Sequence, residues 1–149
     1  MPNTYTQIYV HFVFVVRLRE KLIAPAQREE LQKYITGIVS KKGQKLIAVS
    51  CMPDHTHLFV GVEPTIALSD LARDIKNNAS RFINQQKWTE AKFHWQRGFG
   101  AFSYGHSQIG KVVNYIKNQD QHHAQKSLET EYVELLERYE VTYEDKYLW

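Results

Sequence analysis

From Tyr5 to Val16, apolar, aromatic and β-branched residues fill both alternating registers of the chain, and no other stretch constrains the fold as strongly. Thr6, Ile8, Val10, Phe12, Phe14 and Val16 share one face of a strand, and Gln7, Tyr9, His11, Val13 and Val15 share the other. A strand covered on both faces belongs at the centre of a sheet. Pro25 then opens a helix to about Lys41, with Leu31, Tyr34, Ile35, Ile38 and Val39 on its apolar side and Gly43 just beyond its end. Lys45 to Met52 and His55 to Val62 read as two strands of an antiparallel hairpin, joined by Pro53-Asp54. A second long helix runs from about Ala67 or Ser69 to Gln86, with Leu68, Leu71, Ala72, Ile75, Ala79 and Phe82 at helical spacing. Lys92 to Gln96 and Ala101 to Tyr104 are expected as short aromatic strands around the turn Arg97-Gly98-Phe99-Gly100. Ser107 is expected to cap a third helix reaching Gln125, and Ser127 a fourth. The order β-α-β-β-α-β-β-α-α predicts an α+β fold. It is that of a ferredoxin-like, split βαβ plait: a mainly antiparallel sheet with packed helices and C-terminal helical additions, in one domain over residues 1–149. That superfold hosts many functions, so chemistry has to be sought in particular residues.

With 43% hydrophobic and 13% aromatic residues the chain can bury a core. Its longest apolar stretch, Phe12 to Val16, is far too short to span a bilayer, and the N-terminus lacks the pattern of a signal peptide. A lone Cys51 forms no intrachain disulfide, and the expected compartment is the cytoplasm. The net charge of +3 is unevenly spread, because Glu129 to Asp145 is acidic and leaves the preceding body more basic. Phosphate contacts would fall near Arg17, Arg19, Lys21, Arg73, Lys76, Arg81, Lys87 and Arg97, although charge by itself equally describes a solvated surface.

Three segments have residues that can do chemistry. In Pro53-Asp54-His55-Thr56-His57-Leu58-Phe59-Val60, the two histidines lie two apart on a strand and project side by side, so two nitrogens can bind one metal ion. Taken alone, such a pair is more often structural. In the helix from Val112 to His123, Tyr115 and Gln119 lie one turn apart on a face that His122 extends, while Ile109, Val112, Val113 and Ile116 supply the docking side. A tyrosine there is usually a packing residue. In the segment from Phe93 to Tyr104, aromatics interleaved with Arg97 could stack on unpaired bases, Phe99 among them, with Phe93 and Trp95 expected to be mainly structural.

These pieces occur together in one family. The chain resembles the single-tyrosine HUH transposases of the insertion-sequence 200/605 kind over nearly its whole length. The resemblance is carried by the strand His11-Phe12-Val13-Phe14, by "MPDHTHLFV", "LSDLARDIKNNASRFIN" and "FHWQRGFGAFSYGHSQIGKVVNYIKNQDQHH", and by the terminal "KYLW". Thr56 stands where that motif normally has a bulky hydrophobic residue, and Val15-Val16 where more polar residues are usual. The resemblance implies that His55 and His57 are the metal-binding pair, that Tyr115 is the nucleophile and that Gln119 is a third metal ligand. It also implies a divalent metal, Mg²⁺, with Mn²⁺ able to substitute. The implied substrate is single-stranded DNA with hairpins, cleaved and rejoined through a 5′-phosphotyrosine link. The implied assembly is a homodimer in which the Tyr115 helix serves either its own subunit's histidines or its partner's. Two further readings keep the fold: a host-adopted relative that processes chromosomal repeat hairpins, and a plait-type nucleic-acid-binding module without catalysis. A small-molecule metalloenzyme would need an additional acidic ligand that no motif supplies.

Overall fold

The computed structural model describes residues 3–149. Strands β1 (Tyr9–Val15), β2 (Lys45–Met52), β3 (His55–Gly61) and β4 (Gly100–Tyr104) form one sheet in the order β2-β3-β1-β4. Every neighbouring pair is antiparallel. Helices α1 (Arg28–Lys41) and α2 (Leu68–Gln86) return the chain across one face, which makes the expected plait. β1 is interior to the sheet, as its two apolar registers require. It begins at Tyr9 rather than Tyr5, because the flanking strands end opposite Tyr9, at Gly61 and Tyr104.

Two other elements differ from expectation. Lys92–Gln96 forms no strand; it crosses the end of β1 through a single bridge between Val16 and Trp95. Its aromatics are spent on the core, Phe93 being buried and Trp95 packing edge-on to Phe14. The third helix is broken: after a 3₁₀ turn (His106–Gln108), α3 (Ile109–Lys117) and α4 (Gln119–Gln125) meet at Asn118, whose φ of −98° and ψ of 24° leave the helical well. Helix α5 (Leu128–Arg138) starts where Ser127 accepts a hydrogen bond from the Thr130 amide at 3.2 Å, and α6 (Asp145–Leu148) follows.

The sheet's two faces are built differently. On one, Phe12, Phe14, Leu58 and Val60 pack with Leu31, Ile35, Leu71 and Ile75 of α1 and α2 in a continuous apolar core. On the other, two smaller clusters form. Val13, Val15 and Phe102 meet Leu128, Tyr132, Leu135 and Leu136 of α5, while Ala48 and Phe59 meet Val112 and Ile116 of α3. The residues carrying polar chemistry lie on this second face.

Close approach of α5 depends on Gly100. A Cβ there would stand 2.9 Å from Tyr132 Oη and 3.1 Å from its ring. Gly100→Ala should therefore push α5 off the sheet, costing about 1–3 kcal/mol of stability, read as a lower urea midpoint. An unchanged midpoint would show that the Tyr132 ring gives way freely.

Candidate active site

His55 and His57 leave β3 on the same face, and both side chains are fully buried. Each imidazole is held at its Nδ1. His55 Nδ1 is 2.7 Å from Asp54 Oδ1, and His57 Nδ1 is 2.7 Å from His11 Nε2. Both Nε2 atoms are thereby directed at one point, where Glu131 of α5 brings its carboxylate. Glu131 Oε1 lies 3.1 Å from His57 Nε2 and 3.6 Å from His55 Nε2. A third imidazole arrives from α4, with His123 Nε2 3.1 Å from the same oxygen. Gln119, turned inward by the break at Asn118, sets its Oε1 3.3 Å from His55 Nε2 and donates from Nε2 to Glu131 Oε2 at 3.3 Å. The Tyr115 hydroxyl donates to that same Oε2.

The donor set fits a divalent cation. Ligands about 2.0–2.2 Å from a metal at tetrahedral or octahedral angles stand about 3–3.5 Å apart. The observed spacings of 3.1 and 3.3 Å lie in that range, and 3.6 Å is close to it. Ligand atoms of His55, His57, His123 and Glu131 all lie within 4.8 Å of one another. Anchoring a histidine through Nδ1 so that Nε2 faces the metal is the usual outer-shell arrangement of such sites. His11 adds to this argument, since it is fully buried and its Nδ1 has no hydrogen-bond partner. An unpartnered buried nitrogen costs about 1–3 kcal/mol, and the contact that accounts for it is the one orienting His57.

Electrostatics sharpen the picture. Burial lowers the pKa of His57 and, more strongly, of His11, whereas for His123 the hydrogen bond and charge of Glu131 outweigh burial and raise it. Burial alone would raise the Glu131 carboxyl, but hydrogen bonds from His123, His57 and Tyr115 outweigh it and hold the group as a carboxylate. Burial, then the Glu131 charge and hydrogen bond, hold the Tyr115 phenol well above its ordinary value. Positive charge placed among the imidazoles would oppose that effect.

Residues 4–119 match the family model described as transposase, IS200-like. The chain belongs to the IS200-like transposase family. Among curated relatives, the ISDra2 transposase TnpA of Deinococcus radiodurans is 21% identical over 118 residues, covering 76% of this chain and 84% of that one. The transposase of insertion sequence element IS200 from Salmonella typhimurium is 23% identical over 125 residues, covering 80% and 81%. A crystallised transposase of D. radiodurans R1 superposes with a TM-score of 0.60 at 19% identity, covering 78% of this chain and 94% of that one. A REP-associated tyrosine transposase bound to a REP hairpin gives 0.61 at 18% identity, covering 81% and 72%. Among the described residues no helix is long and apolar enough to cross a membrane.

In this IS200-like transposase, His55, His57, Tyr115 and Gln119 converge, whereas the expected DNA contacts divide into two groups. Arg17, Arg19 and Arg97 lie around the end of β1, where Arg19 pairs with Glu129 at 3.3 Å. Arg73, Lys76 and Arg81 are carried by α2, across the sheet from the histidines. Arg73 pairs with Asp70 at 3.1 Å and with Asp74 at 3.4 Å. Lys76 donates to the carbonyls of Gln96 and Gly98 at 2.8 and 2.6 Å, and burial lowers its pKa to about 8. Arg81 is exposed, and Phe99 rests against Phe12 with ring centroids 5.9 Å apart.

Four residues of the site were not singled out from sequence. Asp54 and His11 become visible only through strand register, because Val13 opposes His57 and sets His11 diagonally beside it. His123 depends on the break at Asn118. Glu131 had a readable signal: Leu128, Glu131, Tyr132 and Leu135 form one helical stripe, and a carboxylate within a buried apolar stripe calls for a polar partner.

Proposed function

We propose that this chain is a metal-dependent single-strand transposase. It cleaves hairpin-bearing single-stranded DNA by attack of Tyr115 on a phosphate and rejoins it from a 5′-phosphotyrosine link. The observation that carries this reading is the convergence, within one chain, of the Tyr115 phenol with the Nε2 atoms of His55 and His57 and with Gln119 and Glu131. A REP hairpin is the molecule bound by one relative of the same fold, and hairpin DNA is the substrate class we assign here.

His55, His57, His123 and Glu131 would hold the metal, with Gln119 Oε1 as a further donor. A divalent ion there supplies charge that polarises a phosphate and offsets the electrostatic penalty on a nearby phenolate. The remaining steps belong to the chain. Helix α3 holds Tyr115 beside the His57 ring, the two centroids being 5.8 Å apart, so a phosphate at the imidazole cluster meets the phenolic oxygen. Glu131 Oε2, which accepts the phenol's hydrogen bond, is positioned to take its proton as the Tyr O–P bond forms, while the P–O3′ bond breaks and the departing 3′-oxygen takes a proton from water. The phosphodiester free energy stays in the tyrosyl link, so a second 3′-hydroxyl can reverse the step without a nucleotide cofactor. With three imidazoles in the set, Mn²⁺ suits the site better than Mg²⁺, and both are expected to support turnover. Arg17, Arg19 and Arg97 are the phosphate contacts nearest in the fold to β1's catalytic end.

The test is incubation of the protein with hairpin-bearing single-stranded DNA in Mg²⁺, Mn²⁺ or EDTA, followed by a denaturing gel. A covalent adduct is expected with either metal and none with EDTA. Equal adduct in EDTA would refute metal dependence, and no adduct under any condition would refute the cleavage reading.

A further inference from the structure

Helix α4 carries two of the site's donors and has little to hold it in place. Gln119 and His123 stand one turn apart on the side that faces the site, and Gln119 is the helix's one buried residue. The flanking helices are anchored by apolar side chains, α3 through Val112 and Ile116 and α5 through Leu128, Tyr132, Leu135 and Leu136. α4 has seven residues and no buried apolar side chain, and the break at Asn118 uncouples it from α3. A helix that short does not persist on its own in water, so its tertiary contacts set its position. His122 packs on the Tyr115 ring with centroids 4.8 Å apart, which ties α4 to α3 but not to the sheet.

Apart from Gln119 and His123, one residue of α4 makes a side-chain hydrogen bond to another element among the described residues. It is Asp120, and its partner is Arg28, the first residue of α1. Arg28 Nη1 donates to Asp120 Oδ1 at 3.0 Å and to Oδ2 at 3.3 Å, and its Nη2 lies 3.5 Å from Ser50 Oγ. Ser50 is on the edge strand β2, opposite His57 in the register and buried like it. The guanidinium therefore passes round the edge of the sheet, from the α1 layer to the face that carries the histidines. Its starting point is unfavourable in itself, because a positive charge in the first turn of a helix opposes the dipole. Glu29 and Glu30 are the charges that suit that turn. A residue that breaks a local rule is accounted for by a contact it makes elsewhere, and here that contact is Asp120.

We propose that the Arg28–Asp120 pair is a latch that positions α4, holding Gln119 Oε1 and His123 Nε2 beside the imidazoles of His55 and His57 before a metal ion binds. Arg28 and Asp120 are positioning residues, acting through the two donors that flank Asp120 on its helix. The side chains are 23% and 71% exposed, so the pair adds little to global stability. Its effect is local. α4 is either docked with both donors in place or undocked with neither, and a weak contact shifts an equilibrium that has no apolar anchor on its docked side. Donors already gathered bind an ion more tightly than donors that must first be ordered. By linkage, a bound ion holds α4 docked when the latch is removed. This inference rests on the metal reading above.

Amide hydrogen exchange and Mn²⁺ calorimetry test the latch. In chelator, Arg28→Gln and Asp120→Asn should each speed exchange of the α4 amides about 2- to 5-fold and leave α1 and the sheet unchanged. Mn²⁺ affinity should fall by a similar factor. The double variant should be no weaker than either single one, because each removes the same contact. Saturating Mn²⁺ should return both α4 exchange and the rate of adduct formation to the wild-type values, since the latch gathers donors and takes no part in the chemistry. Unchanged α4 exchange or unchanged Mn²⁺ affinity in both variants overturns the proposal, as do losses that add in the double variant or exchange that rises equally in α1. Exchange is read without metal, so the latch on α4 is decided by it alone. Failure of the wild-type chain to bind Mn²⁺ would instead refute the metal reading.

Discussion

Tyr115→Phe is expected to form no covalent adduct with hairpin DNA, a loss of about 10⁴-fold or more, while the fold and metal binding persist. The phenolic oxygen is the attacking atom in this reading, and phenylalanine retains the ring without it. The ring's packing should survive, because its contacts with His57 and His11 at centroid distances of 5.8 and 6.2 Å do not involve the hydroxyl. One hydrogen bond is lost, the donation to Glu131 Oε2, but Gln119 Nε2 still reaches that oxygen at 3.3 Å. Tyr115 is only half-buried and water can replace the missing donor, so the stability cost should stay below about 1.5 kcal/mol. End-labelling makes the result specific. Attack leaves the phosphate on tyrosine, so a 3′-labelled strand should shift with the protein and a 5′-labelled one should be released with a free 3′-hydroxyl. Persistence of the shifted 3′-labelled band in Tyr115→Phe would reassign the nucleophile.

What could be read from the sequence tracks how local the physics is. β1's two apolar registers located the centre of the sheet, because face alternation is a property of a single strand. The shared face of His55 and His57 followed from the same period, and the cap at Ser127 needed only its neighbour Thr130. The 92–96 segment has the composition of a strand yet pairs only once, because composition reports burial and its aromatics are buried by packing. The break at Asn118 was not visible in an apolar period that runs smoothly up to it, though it is what turns Gln119 inward and sends α4 off with His123. No motif marks Glu131 as an acidic ligand, because it and the histidines are joined only by the docking of α5. That docking in turn depends on the bare Cα of Gly100 beneath Tyr132.

Glu131 is where the second large effect is expected. Glu131→Gln should lower the affinity for Mn²⁺ by at least about 10- to 100-fold in calorimetric titration and suppress adduct formation in proportion. One oxygen of this carboxylate contacts His57 and His123 at 3.1 Å each, and the other accepts from Tyr115 and Gln119. Glutamine keeps the shape and loses the charge. Its single carbonyl oxygen cannot serve both sets of donors, and its NH₂ group must face either an imidazole or the phenol. Without metal, the loss of charge-assisted hydrogen bonds should cost about 2–4 kcal/mol, seen as a lower melting temperature in chelator. Metal should no longer restore that stability, since a ligand stabilises the fold only as far as it binds. Comparison with His57→Ala separates the roles. Both should lose Mn²⁺ binding, but only Glu131→Gln also removes the acceptor of the Tyr115 proton. It should therefore cleave more slowly than the wild-type chain even when Mn²⁺ is raised to saturate both. If Glu131→Gln binds Mn²⁺ as tightly as the wild-type chain, the carboxylate lies outside the coordination sphere. The metal would then rest on the imidazoles and Gln119 alone.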